Sequence, residues 1–140
     1  MTTRQPPLLA LEQIVFSYPD AAPALRGVSA AIHRGERIAV LGNNGAGKST
    51  FFLICNGILR PQQGTVYADG QPVSYTRRGL TALRRKVGIV FQDADNQIIA
   101  SDVESEISFG PMNLRLPQEA VQQAVDGAIR QMGLGDYRRR

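Results

Sequence analysis

Along residues 8–18 the apolar positions Leu9, Leu11, Ile14, Val15 and Phe16 are interleaved with polar ones, and the run ends at Pro19-Asp20. That pattern predicts a strand closed by a turn. A second strand is expected at Val28-Ser29-Ala30-Ala31-Ile32, after which Arg34-Gly35-Glu36 turns the chain into a third over residues 37–41. From Lys48 the apolar residues take helical spacing, which predicts a helix to Leu59 stopped by Pro61. Residues 64–67 and 71–73 flank Asp69-Gly70, a hairpin signal. Val87-Gly88-Ile89-Val90-Phe91 is a short apolar run suited to a buried parallel strand. After Pro117, Val121, Ala124, Val125, Ala128, Ile129 and Met132 recur at three- and four-residue spacing and Gly133 follows, which predicts an amphipathic helix with its stop. Early strands followed by strand, loop, helix and strand predict an α/β fold with an antiparallel β portion.

The segment between the third strand and the first helix carries the chemistry. It reads Gly42-Asn43-Asn44-Gly45-Ala46-Gly47-Lys48-Ser49-Thr50, directly after Ile38-Ala39-Val40-Leu41. A strand, a glycine-rich loop and a helix in this order form a phosphate-binding loop. A nucleoside triphosphate brings several negative charges that many donors must meet without bulky side chains in the way. Glycines allow the tight turn, backbone N–H groups cradle the phosphates, and the helix start adds its partial positive charge. Lys48 is expected at the β and γ phosphates and Ser49 on Mg²⁺.

Composition narrows the partners. The 140 residues are 43% hydrophobic and 20% charged, an ordinary globular balance, and the net charge of +4 suits anionic ligands. The basic runs Arg77-Arg78, Arg84-Arg85-Lys86 and Arg138-Arg139-Arg140 have no interleaved aromatics, so they read as solvated faces and no nucleic-acid partner is expected. Cys55 is the only cysteine, which excludes an intrachain disulfide and a cysteine-built metal site and leaves a buried, inert thiol as the expectation. Residues 1–7 lack the apolar core of a signal peptide, and no apolar segment approaches the ~20 residues of a membrane span. An intracellular chain is expected, unless a partner carries it to a membrane.

Four further positions bear on chemistry. Tyr18, in Phe16-Ser17-Tyr18-Pro19, offers a flat ring on which adenine can stack, although an aromatic at a strand end is also an ordinary packing residue. Gln92 follows the apolar run 87–91, at the strand end where α/β sheets bind ligands, and its amide oxygen can reach Mg²⁺ or its water as readily as solvent. Asp93 is one residue too far along to be the metal-holding acid of a nucleotide hydrolase. His33, the sole histidine, is expected at the surface.

Taken together these residues resemble the ATP-binding subunit of an ABC transporter, and more narrowly the energy-coupling factor type related to the cobalt import ATPase. The phosphate loop is similar to that family's Walker A, Tyr18 to its adenine-stacking aromatic and Gln92 to its Q-loop glutamine. The narrower likeness rests on Leu25-Arg26-Gly27-Val28-Ser29, on Asn56-Gly57-Ile58-Leu59-Arg60-Pro61, and on residues 91–97 continuing to Phe109-Gly110-Pro111-Met112-Asn113-Leu114. Two positions depart from it: Ala94 stands where these importers often have proline, and Arg115 where glycine is common. The likeness covers only the amino-terminal half of the family domain. Leu134-Gly135-Asp136-Tyr137-Arg138-Arg139-Arg140 resembles the approach to the Leu-Ser-Gly-Gly signature, and neither signature, Walker B aspartate, catalytic glutamate nor switch histidine is present.

The resemblance implies a P-loop NTPase fold of ABC type, present over 1–140 as a partial domain truncated before the signature. It implies ATP and Mg²⁺ as ligands, with Tyr18 on adenine, residues 42–50 on the phosphates, and Ser49 and Gln92 on the metal. Catalytic groups are expected beyond residue 140, which implies a hydrolysis-deficient chain. The implied partners are a transmembrane energy-coupling subunit facing residues 95–116, a substrate-binding membrane subunit, and a second ATP-binding subunit. The implied setting is the cytoplasmic face of the membrane, and the implied cargo cobalt or nickel. The alternatives are a non-transport ABC-family protein, told apart by co-purifying nucleic acid, and a non-functional remnant.

Overall fold

A computed structural model describes residues 6–93 and 97–140. The chain comprises two compact units, residues 1–89 and 90–140.

The first unit is built on a four-stranded antiparallel sheet ordered β2-β1-β3-β4, with β1 at Leu9–Phe16, β2 at Leu25–Ile32, β3 at Gln63–Ala68 and β4 at Gln71–Pro72. β1 carries a bulge between Leu11 and Ile14, where Gln13 takes φ 51° and its N–H donates to Ser29 Oγ at 2.9 Å. The extra residue shifts the side-chain alternation, so Leu9, Leu11, Ile14 and Phe16 are all buried. Asp69 and Gly70 at φ 48° and 74° make the predicted hairpin turn between β3 and β4.

Helix α1, Lys48–Cys55, buries Phe51, Ile54 and Cys55 against this sheet, and α2, Arg77–Arg84, adds Leu83 to the same core. α1 begins where expected but ends at Cys55, short of the predicted Leu59. Asn56 caps it, with its amide turned inward to the carbonyl of Val87. Sequence reading did not anticipate α2. Its charged residues mask a helix that Thr76 caps through its hydroxyl, 3.2 Å from the Gly79 nitrogen.

Two expectations need correction. Residues 37–41 and 87–91 form no strand, although both are apolar runs. A strand needs a neighbouring ladder, and among the described residues no strand runs beside either segment. Their side chains show it: Leu41 is 89% exposed and Val90 92%. Val40 and Val87 still pack against the core, so each segment keeps one anchor.

The second unit packs α3, Val103–Asn113, against α4, Gln118–Met132, where Val125 and Ile129 are the buried residues. Gly133 at φ 68° ends α4 as predicted. α3 was not foreseen. Asp102 caps it, its carboxylate accepting from the Ser105 N–H at 2.8 Å, and that bond holds the carboxyl below its usual range. A short 3₁₀ turn at Gly135–Tyr137 returns Arg138 to α3, where the guanidinium donates from Nε and Nη2 to Glu104 at 3.0 and 2.6 Å and also pairs with Asp126 at 2.8 Å. Ala94, one of the two family departures, lies outside the described residues, as do the first two positions of the expected partner-facing segment 95–116. Arg115, the other departure, adopts φ 55°, just past the end of α3.

Candidate phosphate-binding site

The amino end of α1 is open to an anion. Gly47 occupies the cap position at φ 86° without a side chain to offer, and the first turn contains no acidic residue. The N–H groups of Lys48, Ser49 and Thr50 therefore have neither an intrahelical acceptor nor a side-chain cap, and the helix dipole makes the spot positive. Glycine at 47 also lets the loop lie directly on the chain entering β2. A Cβ there would stand 2.5 Å from the Ala24 carbonyl oxygen and 3.0 Å from Leu25 Cδ2.

Lys48 folds back over its own loop. Its Nζ donates to the carbonyls of Gly42 and Asn43, both at 2.7 Å, while the Ala46 N–H donates to the same Asn43 carbonyl at 3.1 Å. Two neutral carbonyls thus hold an ammonium that a phosphate oxygen would hold more strongly. Gly42, Asn43, Asn44, Gly45 and Ala46 are exposed, Ser49 is exposed in the first turn, and Thr50 is buried. The loop is therefore open to solvent and is followed by an exposed hydroxyl at Ser49.

Tyr18 comes to this loop from the far end of β1. Its hydroxyl lies 3.2 Å from Thr50 Oγ1, its ring meets Phe16 edge to face at 5.0 Å, and the residue is 42% exposed. The structure therefore unites Tyr18 with residues 42–50. Sequence reading missed Gln62, whose side-chain amide holds the backbone just before Tyr18. Oε1 accepts from the Ser17 N–H at 2.9 Å, and Nε2 donates to the Ser17 carbonyl at 3.3 Å. A glutamine imitating a peptide group leaves no pattern in sequence.

Gln92 belongs to the second unit, where it is exposed in a bend. His33 is half-buried in the turn into 37–41, its N–H donating to Glu36 Oε2 at 2.7 Å. The Cys55 thiol is buried, which pushes its pKa up to about 12 and leaves it unreactive, as expected. Among the described residues no three His, Cys, Asp or Glu converge on a metal-sized site. The oxygen donors proposed for Mg²⁺, the Ser49 hydroxyl and the Gln92 amide, are neutral. The Ser49 hydroxyl suits a cation that arrives with phosphate oxygens and water as its main ligands rather than one held in a protein cage.

The ABC transporter family pattern matches residues 25–140, which takes in the whole loop and α1. The chain belongs to the ABC transporter family. Over 134 residues this ABC chain is 50% identical to an energy-coupling factor transporter ATP-binding protein, EcfA2, of Methanospirillum hungatei, covering 96% of the chain and 34% of that protein. It is 47% identical over 133 residues to EcfA of Methanothermobacter thermautotrophicus, covering 95% of the chain and 43% of the relative. Among solved structures it is similar to cbiO1 of Clostridium perfringens, described as part of the ABC transporter complex cbiONQ, with TM-score 0.85 and 40% identity over 97% of the chain and 54% of that protein. This ABC chain therefore spans about a third to a half of the length of these relatives, and its α/β fold is that of an ABC ATPase domain of P-loop type.

Proposed function

We propose that this chain is the nucleotide-binding part of an energy-coupling factor type subunit, coupling ATP binding and hydrolysis to uptake of a transition-metal ion, cobalt or nickel. The observation that carries the reading is Lys48 held only by carbonyls of its own loop, beside an uncapped helix start with Tyr18 tied to the same turn. Tyr18 stacks adenine. Gly42, Asn43, Asn44, Gly45, Ala46, Gly47 and Thr50 enclose the phosphates through backbone N–H groups, and Lys48 exchanges its two carbonyls for phosphate oxygens. Ser49 and Gln92 offer oxygens to Mg²⁺, which when bound neutralises charge on the phosphates.

Neither a serine hydroxyl nor a glutamine amide is a base at neutral pH, so these residues position the nucleotide without activating water. The 140 residues by themselves bind ATP at most weakly and hydrolyse it negligibly. Positions 98, 99, 109, 112 and 116 carry exposed apolar side chains, which supports a transmembrane energy-coupling partner at residues 95–116. A substrate-binding membrane subunit and a second ATP-binding subunit complete the proposed assembly, at the cytoplasmic face of the membrane. Among the described residues no helix is long and apolar enough to cross a membrane. The description of the solved neighbour as part of an ABC transporter complex supports the transport assembly.

Calorimetric titration of the purified chain with MgATP, together with a phosphate-release assay, tests the reading. Binding is expected, weakened about tenfold or more by Lys48→Ala through loss of a charge-assisted bond, with no Lys48-dependent turnover. Absence of binding would overturn the nucleotide assignment, and Lys48-dependent turnover at ordinary transporter rates would overturn the proposed deficiency. Radioactive cobalt and nickel uptake by cells carrying Lys48→Ala in the transporter tests the cargo, and uptake of both unaffected by that change would exclude it.

A further inference from the structure

The base platform and the phosphate loop come from opposite ends of the first sheet's connections, and one side-chain contact joins them. Tyr18 follows β1, and Thr50 is the third residue of α1. Their hydroxyls lie 3.2 Å apart. Thr50 is only 5% exposed whereas Tyr18 is 42% exposed, so the tie joins a partly exposed ring to a buried residue. The rest of the tyrosine is held on two further sides. Phe16 meets the ring at 5.0 Å and 88°, and Gln62 clamps both backbone groups of the preceding Ser17.

We infer that Thr50 is a positioning residue for base recognition, its hydroxyl setting the angle of the Tyr18 ring relative to the phosphate loop. The inference rests on the nucleotide reading above. Without a partner for its hydroxyl the ring keeps only its edge contact with Phe16, and its two side-chain torsions range more widely. Its face then meets a base bound at a fixed distance from the phosphates for only part of the time, and stacking affinity falls in proportion to the lost population. A hydroxyl bond to the first turn of the phosphate-binding helix removes that freedom before the nucleotide arrives, which is preorganisation. The same tie makes the two halves of the site interdependent, since a shift of α1 moves Thr50 and hence the ring. Phenylalanine at 18 would stack equally well but be held by Phe16 alone, so the tyrosine hydroxyl serves the angle rather than the contact.

The test compares ATP with inorganic tripolyphosphate, which lacks the base, by calorimetric titration of the full chain in the presence of Mg²⁺. Tyr18→Phe is expected to weaken ATP about threefold to tenfold, the usual worth of one hydrogen bond, and to leave tripolyphosphate unchanged. Thr50→Val is expected to weaken ATP by at least as much. In the Thr50→Val background the Tyr18→Phe change should then cost nothing more, because the tie is already gone. Thr50→Ser, which keeps the hydroxyl, should restore most of the ATP affinity. Independent, multiplying losses in the double variant would overturn the inference, as would an equal loss for tripolyphosphate in Tyr18→Phe. If Thr50→Val does not fold, the exposed Tyr18→Phe still decides through its ATP-to-tripolyphosphate ratio. If the unsubstituted chain binds neither ligand, the nucleotide reading fails, and the inference falls with it rather than by its own test.

Discussion

Gly47 and Gly45 provide a matched pair for asking what holds the phosphate loop in place. Both adopt left-handed backbone, at φ 86° and 80°, so replacing either with alanine carries a similar conformational cost of about 1 to 2 kcal/mol. Their surroundings differ. At Gly45 an added Cβ meets nothing within 4 Å, whereas at Gly47 it stands 2.5 Å from a backbone oxygen of Ala24 and 3.0 Å from Leu25 Cδ2. A carbon and an oxygen normally stay well beyond 3 Å apart, so most of an ångström must be recovered by moving backbone, because a carbonyl cannot rotate aside. Forcing a methyl group into packed structure costs about 1 to 3 kcal/mol, which places Gly45→Ala near 1 to 2 and Gly47→Ala near 2 to 5 kcal/mol. The Ala24 N–H donates to Phe16 at 2.8 Å, so the displaced segment is the one that closes the chain around Tyr18. The two variants should therefore differ in thermal midpoint by several degrees, at about 3 to 5 °C per kcal/mol for a domain of this size. Far-ultraviolet circular dichroism during heating measures this directly, without any ligand. Midpoints agreeing within about 2 °C would show that the loop does not rest on the Ala24 carbonyl, and would refute the packing argument.

Two predictions concern the second unit. Arg115 sits at φ 55° and is exposed, so Arg115→Gly should stabilise the chain by about 1 kcal/mol in urea denaturation, and destabilisation would show that its side chain has a role. Glu104 is held below its ordinary value of 4.5, chiefly by the hydrogen bonds from Arg138, so the stability it contributes is complete above that pH and is lost as pH falls through the lowered native value. Amide exchange at Val103 and Glu104, whose N–H groups donate to the carbonyls of Arg140 and Arg138 at 3.1 and 3.0 Å, should show protection fading in acid. Arg138→Gln should be poorly protected at neutral pH already, and an acid-independent profile in the unsubstituted chain would count against the clamp.

Much of the site was legible because its chemistry is contiguous. The run from Gly42 to Thr50 brings the loop glycines, Lys48 and two hydroxyls into one contiguous stretch, so spacing located the loop and the start of α1, while the family resemblance also needed Tyr18, Gln92 and the stretches up to Leu114. Turn chemistry was equally local: Asp69-Gly70 and Gly133 were placed correctly because each needs only its own φ. Arg115 was noted as a departure, and the backbone supplies the reason, since the position requires the left-handed conformation that glycine adopts without cost. The failures arose where a residue's state depends on a distant neighbour. Residues 37–41 and 87–91 have strand composition, yet composition cannot provide the ladder on either side, and without it Leu41 and Val90 stand in solvent. Helices α2 and α3 escaped because their stability comes from Thr76 and Asp102 caps and from packing, with few apolar residues in register to announce them.

By itself the sequence determined that a phosphate-binding loop opens a helix, that antiparallel strands accompany it, and which family the chain resembles. The first two depend on residues a few positions apart, and the resemblance on short motifs that are each contiguous. Only the tertiary structure showed that Tyr18, packed on Phe16 of β1, also reaches Thr50 with its hydroxyl. It also showed that Thr50 and Gln62 hold Tyr18 there, and that Lys48 rests on the carbonyls of Gly42 and Asn43. The physical reason is separation along the chain. Tyr18 and Thr50 are 32 residues apart and Ser17 and Gln62 are 45, and the antiparallel pairing of β1 with β2 and β3 is what closes those distances to a hydrogen bond.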